Sequence, residues 1–135
     1  MHLIDTNIFL EILLGRRRKE ECKRLLKRIQ MGKETGVVTD FSIHSIIVIM
    51  DSFKKFRELK TFLTSLTAYK GLHIYTTSLS DEIKAVELAL KQKLDMDDAI
   101  QYAAALSLNA ESIISFDKHF DGLKIPRKEP VELID

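Results

Sequence analysis

Three aspartates, Asp5, Asp98 and Asp117, each stand where an apolar run meets the segment beside it. Asp5 closes His2-Leu3-Ile4, Asp117 follows Ser112-Ile113-Ile114-Ser115, and Asp98, with Asp95 and Asp97, opens a helical pattern. Carboxylates gathered in one place repel each other and raise one another's pKa unless a cation compensates them. Hard oxygen ligands select Mg²⁺ or Mn²⁺, which keep several waters and are completed by substrate phosphate. Such ions polarise a phosphodiester, activate a bound water and stabilise the leaving oxygen, so the chemistry on offer is hydrolysis without a covalent enzyme intermediate. Taken singly, each acid also has an ordinary reading. Asp5 is a helix cap, Asp95, Asp97 and Asp98 suit a helix dipole, and Asp117 and Asp121 are turn residues before Gly122. A shared role requires one sheet edge to gather them.

The intervening elements decide whether that happens. Short apolar runs at residues 2–4, 37–39, 72–75 and 112–115 read as strands, each followed by a helical pattern or a polar loop. Asp5 or Thr6 caps a helix through Ile8, Phe9, Ile12 and Leu13, ended by Gly15. Residues 17–31 form a second helix with Cys22, Leu25, Leu26 and Ile29 inward. A buried helix follows from Phe41 to Met50, with Asp40 and Ser42 as caps. Residues 52–68 repeat apolar side chains at helical spacing, with Phe53, Phe56, Leu59, Leu63 and Leu66 inward. Ser78 and Asp81 form a capping box before a helix over 82–93, and another helix runs from the 95–98 acids to about residue 108. The tail, with Pro126 and Pro130, is expected to add an edge strand at 131–134. Strands alternating with helices imply an α/β fold: a short parallel sheet of four or five strands covered by helices on both faces. In such a sheet ligands bind beyond the carboxyl ends of the strands, which is where Asp5 and Asp117 fall.

Composition bounds the rest. The 135 residues fit one domain, 1–135, and are 45% hydrophobic and 30% charged, a globular balance. No apolar run approaches the roughly 20 residues that span a bilayer, and nothing resembles a signal peptide, so a cytoplasmic location and no membrane partner are expected. Cys22 is the only cysteine, which excludes an intramolecular disulfide and a thiolate zinc site. The net charge of +1 hides an asymmetry: residues 1–70 carry 14 Lys/Arg against 8 Asp/Glu, and residues 71–135 carry 7 against 12. A basic half beside an acidic half suits a metal site with cations for a polyanion, and suits self-association equally. Arg16-Arg17-Arg18-Lys19 with Lys23 forms a candidate phosphate-contacting stripe; interruption by Glu20 and Glu21 also fits a solvated helix face.

Three stretches resemble a known family. Leu3-Ile4-Asp5-Thr6-Asn7 matches the hydrophobic-Asp-Thr-Asn signature of PIN domains, including VapC-type toxin ribonucleases. Asp97-Asp98-Ala99-Ile100-Gln101-Tyr102-Ala103 is similar to their Asp-Ala-hydrophobic-x-x-Ala helix, and Ile113-Ile114-Ser115-Phe116-Asp117-Lys118-His119-Phe120 to their strand followed by Thr/Ser-x-Asp-x-x-Phe. The motifs occur in order across nearly the whole chain. The resemblance implies a PIN-like three-layer fold and a Mg²⁺- or Mn²⁺-dependent endoribonuclease acting on RNA. It further implies an antitoxin protein as a partner and a homodimer, with the helices at 41–68 as a possible interface. Asp5 carries over as the first acid and main metal ligand, Asp98 as the third acid and Asp117 as the fourth. Ser115 carries over as a supporting hydroxyl, and Asn7 belongs to the opening signature. One departure stands out: the family's Glu after the second strand falls on His44 or Ser45. His44 is a candidate supporting residue for metal, water or phosphate and equally an ordinary helix histidine, and the missing acid motivates an alternative, a degenerate PIN domain that binds RNA or protein with little or no cleavage.

Overall fold

The computed structural model describes residues 1–134. Five parallel strands form one sheet: β1 (His2–Ile4), β2 (Gly36–Thr39), β3 (Leu72–Tyr75), β4 (Ser112–Ile114) and β5 (Arg127–Lys128), in the order β3-β2-β1-β4-β5. Six helices flank it: α1 (Thr6–Leu13), α2 (Lys19–Gln30), α3 (Asp40–Ser52), α4 (Phe56–Leu66), α5 (Leu79–Gln92) and α6 (Met96–Ser107). The sequence reversal after β1, which sends the chain to β2 on one side and later to β4 on the other, makes the carboxyl ends of β1 and β4 the natural binding crevice.

The side-chain alternation of the strands divides the interior in two. Ile4, Val38 and Ile114 face one way, against Phe9, Leu25, Ile46 and Phe62 of the helices α1 to α4. Leu3, Val37 and Ile113 face the other way, against α5 and α6. The run Ala103-Ala104-Ala105 is fully buried, and its small side chains bring α6 close to the sheet. Cys22 lies wholly inside the first core, and burial pushes its thiol up to about 12.

Several boundaries differ from the sequence reading. Thr39, one residue earlier than expected, caps α3: its hydroxyl accepts the Ser42 N–H at 3.0 Å. The helix expected over 52–68 begins only at Phe56, because Lys54 takes a left-handed conformation (φ 56°) and separates α3 from α4. Phe53 and Phe56 are consequently exposed rather than inward, and the buried face is Leu59, Phe62 and Leu66. Ser78 and Asp81 do form the capping box, but α5 starts at Leu79. The edge strand expected at 131–134 is a 3-10 turn, Pro130–Leu133, and the strand lies at Arg127–Lys128 instead. Pro130 has no N–H for a ladder and a φ suited to the start of a helical turn, while Glu129 and Glu132 cap that turn reciprocally.

Two connections position the site. The start of α5 is tied to the end of α6 by the Ser107 hydroxyl, which donates to Asp81 at 3.4 Å, so the two helices form an antiparallel hairpin. Lys93 (φ 57°) reverses the chain between them. Asp95 then caps α6 by accepting the Asp98 N–H at 2.9 Å. This hairpin answers what the sequence left open: it delivers the first turn of α6, and hence Asp98, to the side where β1 and β4 end.

Candidate metal centre

Asp5 occupies the cap position of α1 in extended conformation (φ −65°, ψ 145°), yet makes no side-chain capping hydrogen bond within ordinary geometry. The nearby Asn7 amide still favours its charged form, although less than the two side chains that hold it. Ser115 Oγ donates to Asp5 Oδ2 at 2.6 Å, and Gln101 Nε2 donates to Asp5 Oδ1 at 3.0 Å. The carboxylate is therefore fixed across the sheet edge, and only 2% of Asp5 is exposed. Burial raises its pKa against the pull of these hydrogen bonds, with a smaller contribution from Asp117.

Asp117 is joined to the same group. Its backbone N–H donates to Ser115 Oγ at 2.9 Å, so one hydroxyl bridges the end of β4 to the end of β1. Gln101 does the corresponding work on α6: its amide also donates to Asp97 Oδ1 at 3.2 Å, one helical turn back. Asp98 is buried, and its Oδ2 has no hydrogen-bond partner. Burial pushes its carboxyl up to about 8, reinforced by Asp95, Asp117, Asp5 and Asp97. Asp97 is raised as well, by burial and then by Asp5 and Asp95. A buried carboxylate oxygen left bare beside other acids is a costly arrangement for a structural feature and a natural one for a cation ligand.

Among the described residues, the set of donors that could hold an ion is Asp98, Asp117 and His119, with one ligand atom from each within 4.8 Å of the others. Asp5 adjoins this set through Ser115 rather than belonging to it. His119 and Gln101 are the two residues the sequence reading passed over. Gln101 had a signal, since it lies three residues after Asp98 on the same helix face. His119 lay two residues past Asp117 in a turn, where spacing alone says nothing about direction.

His44 is placed differently from the acids. It lies exposed on α3, and among the described residues no hydrogen bond or ion pair joins it to Asp5, Asp98 or Asp117; Asp40 is the acid it influences. The buried polar group nearest in sequence is Ser42, which accepts from Thr6 and Thr39 at 2.8 and 3.1 Å. Asn7 is exposed. Arg18 is half-buried and already paired within the chain: it pairs with Glu129 at 2.6 Å and Glu21 at 2.9 Å, and its guanidinium lies 4.0 Å over the Phe116 ring. Arg16, Arg17 and Lys23 are exposed. Asp121 is held by Arg127 at 2.7 Å, which assigns it to the turn.

The PIN domain family model matches residues 2–125. The chain belongs to the PIN domain family. Among solved structures, a toxin-antitoxin complex from Klebsiella pneumoniae is similar over 96% of this chain and 98% of that one, at 23% identity and a TM-score of 0.73. The sarcin-ricin loop cleaving toxin VapC20 of Mycobacterium tuberculosis is similar over 87% and 90%, at 13% identity and a TM-score of 0.71. VapBC2 of Rickettsia felis, bound to a DNA fragment from its promoter, is similar over 95% and 97%, at 13% identity and 0.71. At these identities the likeness establishes the shared PIN fold. No curated protein matches the chain. No helix among the described residues is long and apolar enough to cross a membrane.

Proposed function

We propose that this PIN domain is a Mg²⁺- or Mn²⁺-dependent endoribonuclease, working in the cytoplasm as the toxin of a toxin–antitoxin pair. The observation that carries the reading is the bare, buried oxygen of Asp98 beside Asp117, with Asp5 clamped alongside. The donor set is oxygen-rich and strongly acidic, which fits a hard divalent cation. Asp98 and Asp117 would hold the ion, with Asp5 offering a third carboxylate next to them. When bound, such an ion supplies Lewis acidity and neutralises charge on the phosphodiester. The chain's own groups do the positioning. Ser115 and Gln101 fix Asp5, and Gln101 keeps Asp97 turned toward the same edge. Arg18 stacks on Phe116, next to Asp117, so its exposed neighbours Arg16 and Arg17 start within about 7 Å of that anchored residue. They and Lys23 are assigned to the RNA backbone, where cations position phosphate without reading sequence.

The test is cleavage of RNA with Mn²⁺ or Mg²⁺ by the wild type, Asp5→Ala and Asp117→Ala. Each variant is expected to lose at least about a hundredfold in rate, the scale of removing a preorganised charge-stabilising group. A second reading, a degenerate PIN domain that binds RNA or protein, is favoured by the absence of an acid at His44 or Ser45, where the resemblance places one. Purified wild type that binds RNA yet leaves it intact in both metals would establish that alternative.

Self-association and antitoxin binding are assigned to separate faces. On α5, Leu79, Ile83, Val86 and Leu90 recur at helical spacing and are 46–80% exposed, while Ala85 on the opposite side is buried. This stripe is longer and more continuous than the exposed residues of 41–68, so the homodimer is assigned here. Ile83→Glu is expected to weaken self-association at least about a hundredfold, since it places an unpaired charge in an apolar contact. Light scattering on a size-exclusion column measures this, and a wild type that stays monomeric at every concentration removes the dimer. The antitoxin is assigned to an apolar groove of about 500 Å³ between α1, α2 and α4, floored by Phe9, Leu13, Leu26 and Phe62 and edged by Arg57 and Glu58.

A further inference from the structure

We propose that His119 is a nitrogen ligand of the same cation and sets the site's preference for Mn²⁺ over Mg²⁺. The inference rests on the metal-site reading above and goes beyond it, since a nitrogen donor widens the preference for a transition ion over Mg²⁺ past what carboxylates alone give.

His119 sits in the short 3-10 turn Lys118–Phe120 that follows Asp117, whose Oδ1 accepts the His119 backbone N–H at 2.9 Å. That bond folds the turn back on the aspartate and brings the ring over the acids. Its Nδ1 lies 3.0 Å from Asp117 Oδ1 and 3.9 Å from Asp98 Oδ2. With bonds of about 2.1 Å, adjacent donors of an octahedral ion are about 3.0 Å apart and opposed donors about 4.2 Å. Both His119 separations fall within those limits, and the three ligand atoms all lie within 4.8 Å of one another, so side-chain adjustment of the acids would seat an ion between them. Asp98 Oδ2, the donor facing the ring, is buried and without a hydrogen-bond partner. The His119 side chain is 71% exposed, so no core packing accounts for where it points.

The ligand chemistry then changes. Among the described residues the only three-donor set is Asp98, Asp117 and His119, so α3 adds no carboxylate to it. The third donor is an imidazole, which brings a nitrogen and no negative charge. Imidazole nitrogen suits first-row transition ions, whereas Mg²⁺ favours oxygen and surrenders water reluctantly. Substituting one imidazole for one carboxylate therefore weakens Mg²⁺ more than Mn²⁺.

The test is calorimetric titration of the full chain with MnCl₂ and with MgCl₂, together with pulsed electron paramagnetic resonance of the Mn²⁺ complex. Wild type, His119→Ala, His119→Asp and Asp98→Asn are compared. Wild type is expected to bind Mn²⁺ at least about tenfold more tightly than Mg²⁺ and to show nitrogen hyperfine coupling. His119→Ala should lose about tenfold in Mn²⁺ affinity with little change toward Mg²⁺, and should lose the coupling. His119→Asp should gain Mg²⁺ affinity. Mn²⁺ bound to wild type without nitrogen coupling, or equal affinities in wild type and His119→Ala, overturns the assignment while leaving the acidic centre intact. Failure of wild type to bind either ion, matching Asp98→Asn, removes the metal site itself and this inference with it.

Discussion

Asp98→Asn is expected to melt several degrees higher than the wild type at pH 8 without added metal, and to cleave RNA at least about a hundredfold more slowly. The two effects have one cause. An unfolded aspartate ionises near pH 4, whereas the folded Asp98 carboxyl is pushed up to about 8 by burial and by its acidic neighbours. Between those values the native state holds a proton that the unfolded state has released. Stability therefore falls as pH rises through that window. Asparagine is neutral throughout, so its advantage should be small near pH 4 and largest near pH 8. The substitution does give up a negative charge at the start of α6, worth about 0.5 kcal/mol, which is too little to reverse the sign. Added Mn²⁺ should raise the melting temperature of the wild type at pH 8 by mass action and leave the variant almost unmoved. Thermal scans across this pH range decide the matter. A wild-type advantage at pH 8 in metal-free buffer would mean that the carboxylates are not strained against one another.

Gly71→Ala should be the most damaging glycine replacement in the chain, costing about 3 kcal/mol or preventing soluble accumulation altogether. A Cβ on Gly71 would lie 2.2 Å from the carbonyl oxygen of Glu34 and 2.8 Å from that of Ile29. Those are backbone atoms, and they cannot swing aside. Gly71 N–H donates to Ile29 at 2.9 Å, and its own carbonyl accepts from Gly36 at 2.8 Å. The residue thus ties the end of α2 to the starts of β2 and β3. Urea denaturation measures the loss, with Lys70→Ala as the neighbouring control. A change below about 1 kcal/mol, the usual scale of an ordinary glycine replacement, would show that this junction yields.

The sequence made the carboxylates legible because each lies at a strand end or helix start, and those boundaries are marked by an abrupt change in hydropathy. Ile4 to Asp5 and Ile114 to Asp117 are such steps. Parallel pairing of β1 with β4 then puts their ends side by side, so two of the acids needed only the topology. Asp98 needed the α5–α6 hairpin, whose direction depends on the left-handed Lys93 and on tertiary contacts such as Ser107 with Asp81. Arg18 misled because charge runs carry no information about partners: Glu129, which claims it, lies 111 residues away. Phe53 and Phe56 misled because a continuous helical period was read across a break that only the backbone at Lys54 reveals. The 131–134 segment has strand-like composition, and Pro130 with its capping glutamates overrode it.

The solitary thiol of Cys22 offers a clock for the whole fold. Alkylating reagents attack the thiolate, and this sulfur sits among Leu25, Leu26 and Ile29 with its proton tightly held. Labelling must wait until α2 lifts away from the sheet. Its rate counts excursions of the first core in real time, and any ion or partner that clasps the native state should slow the ticking.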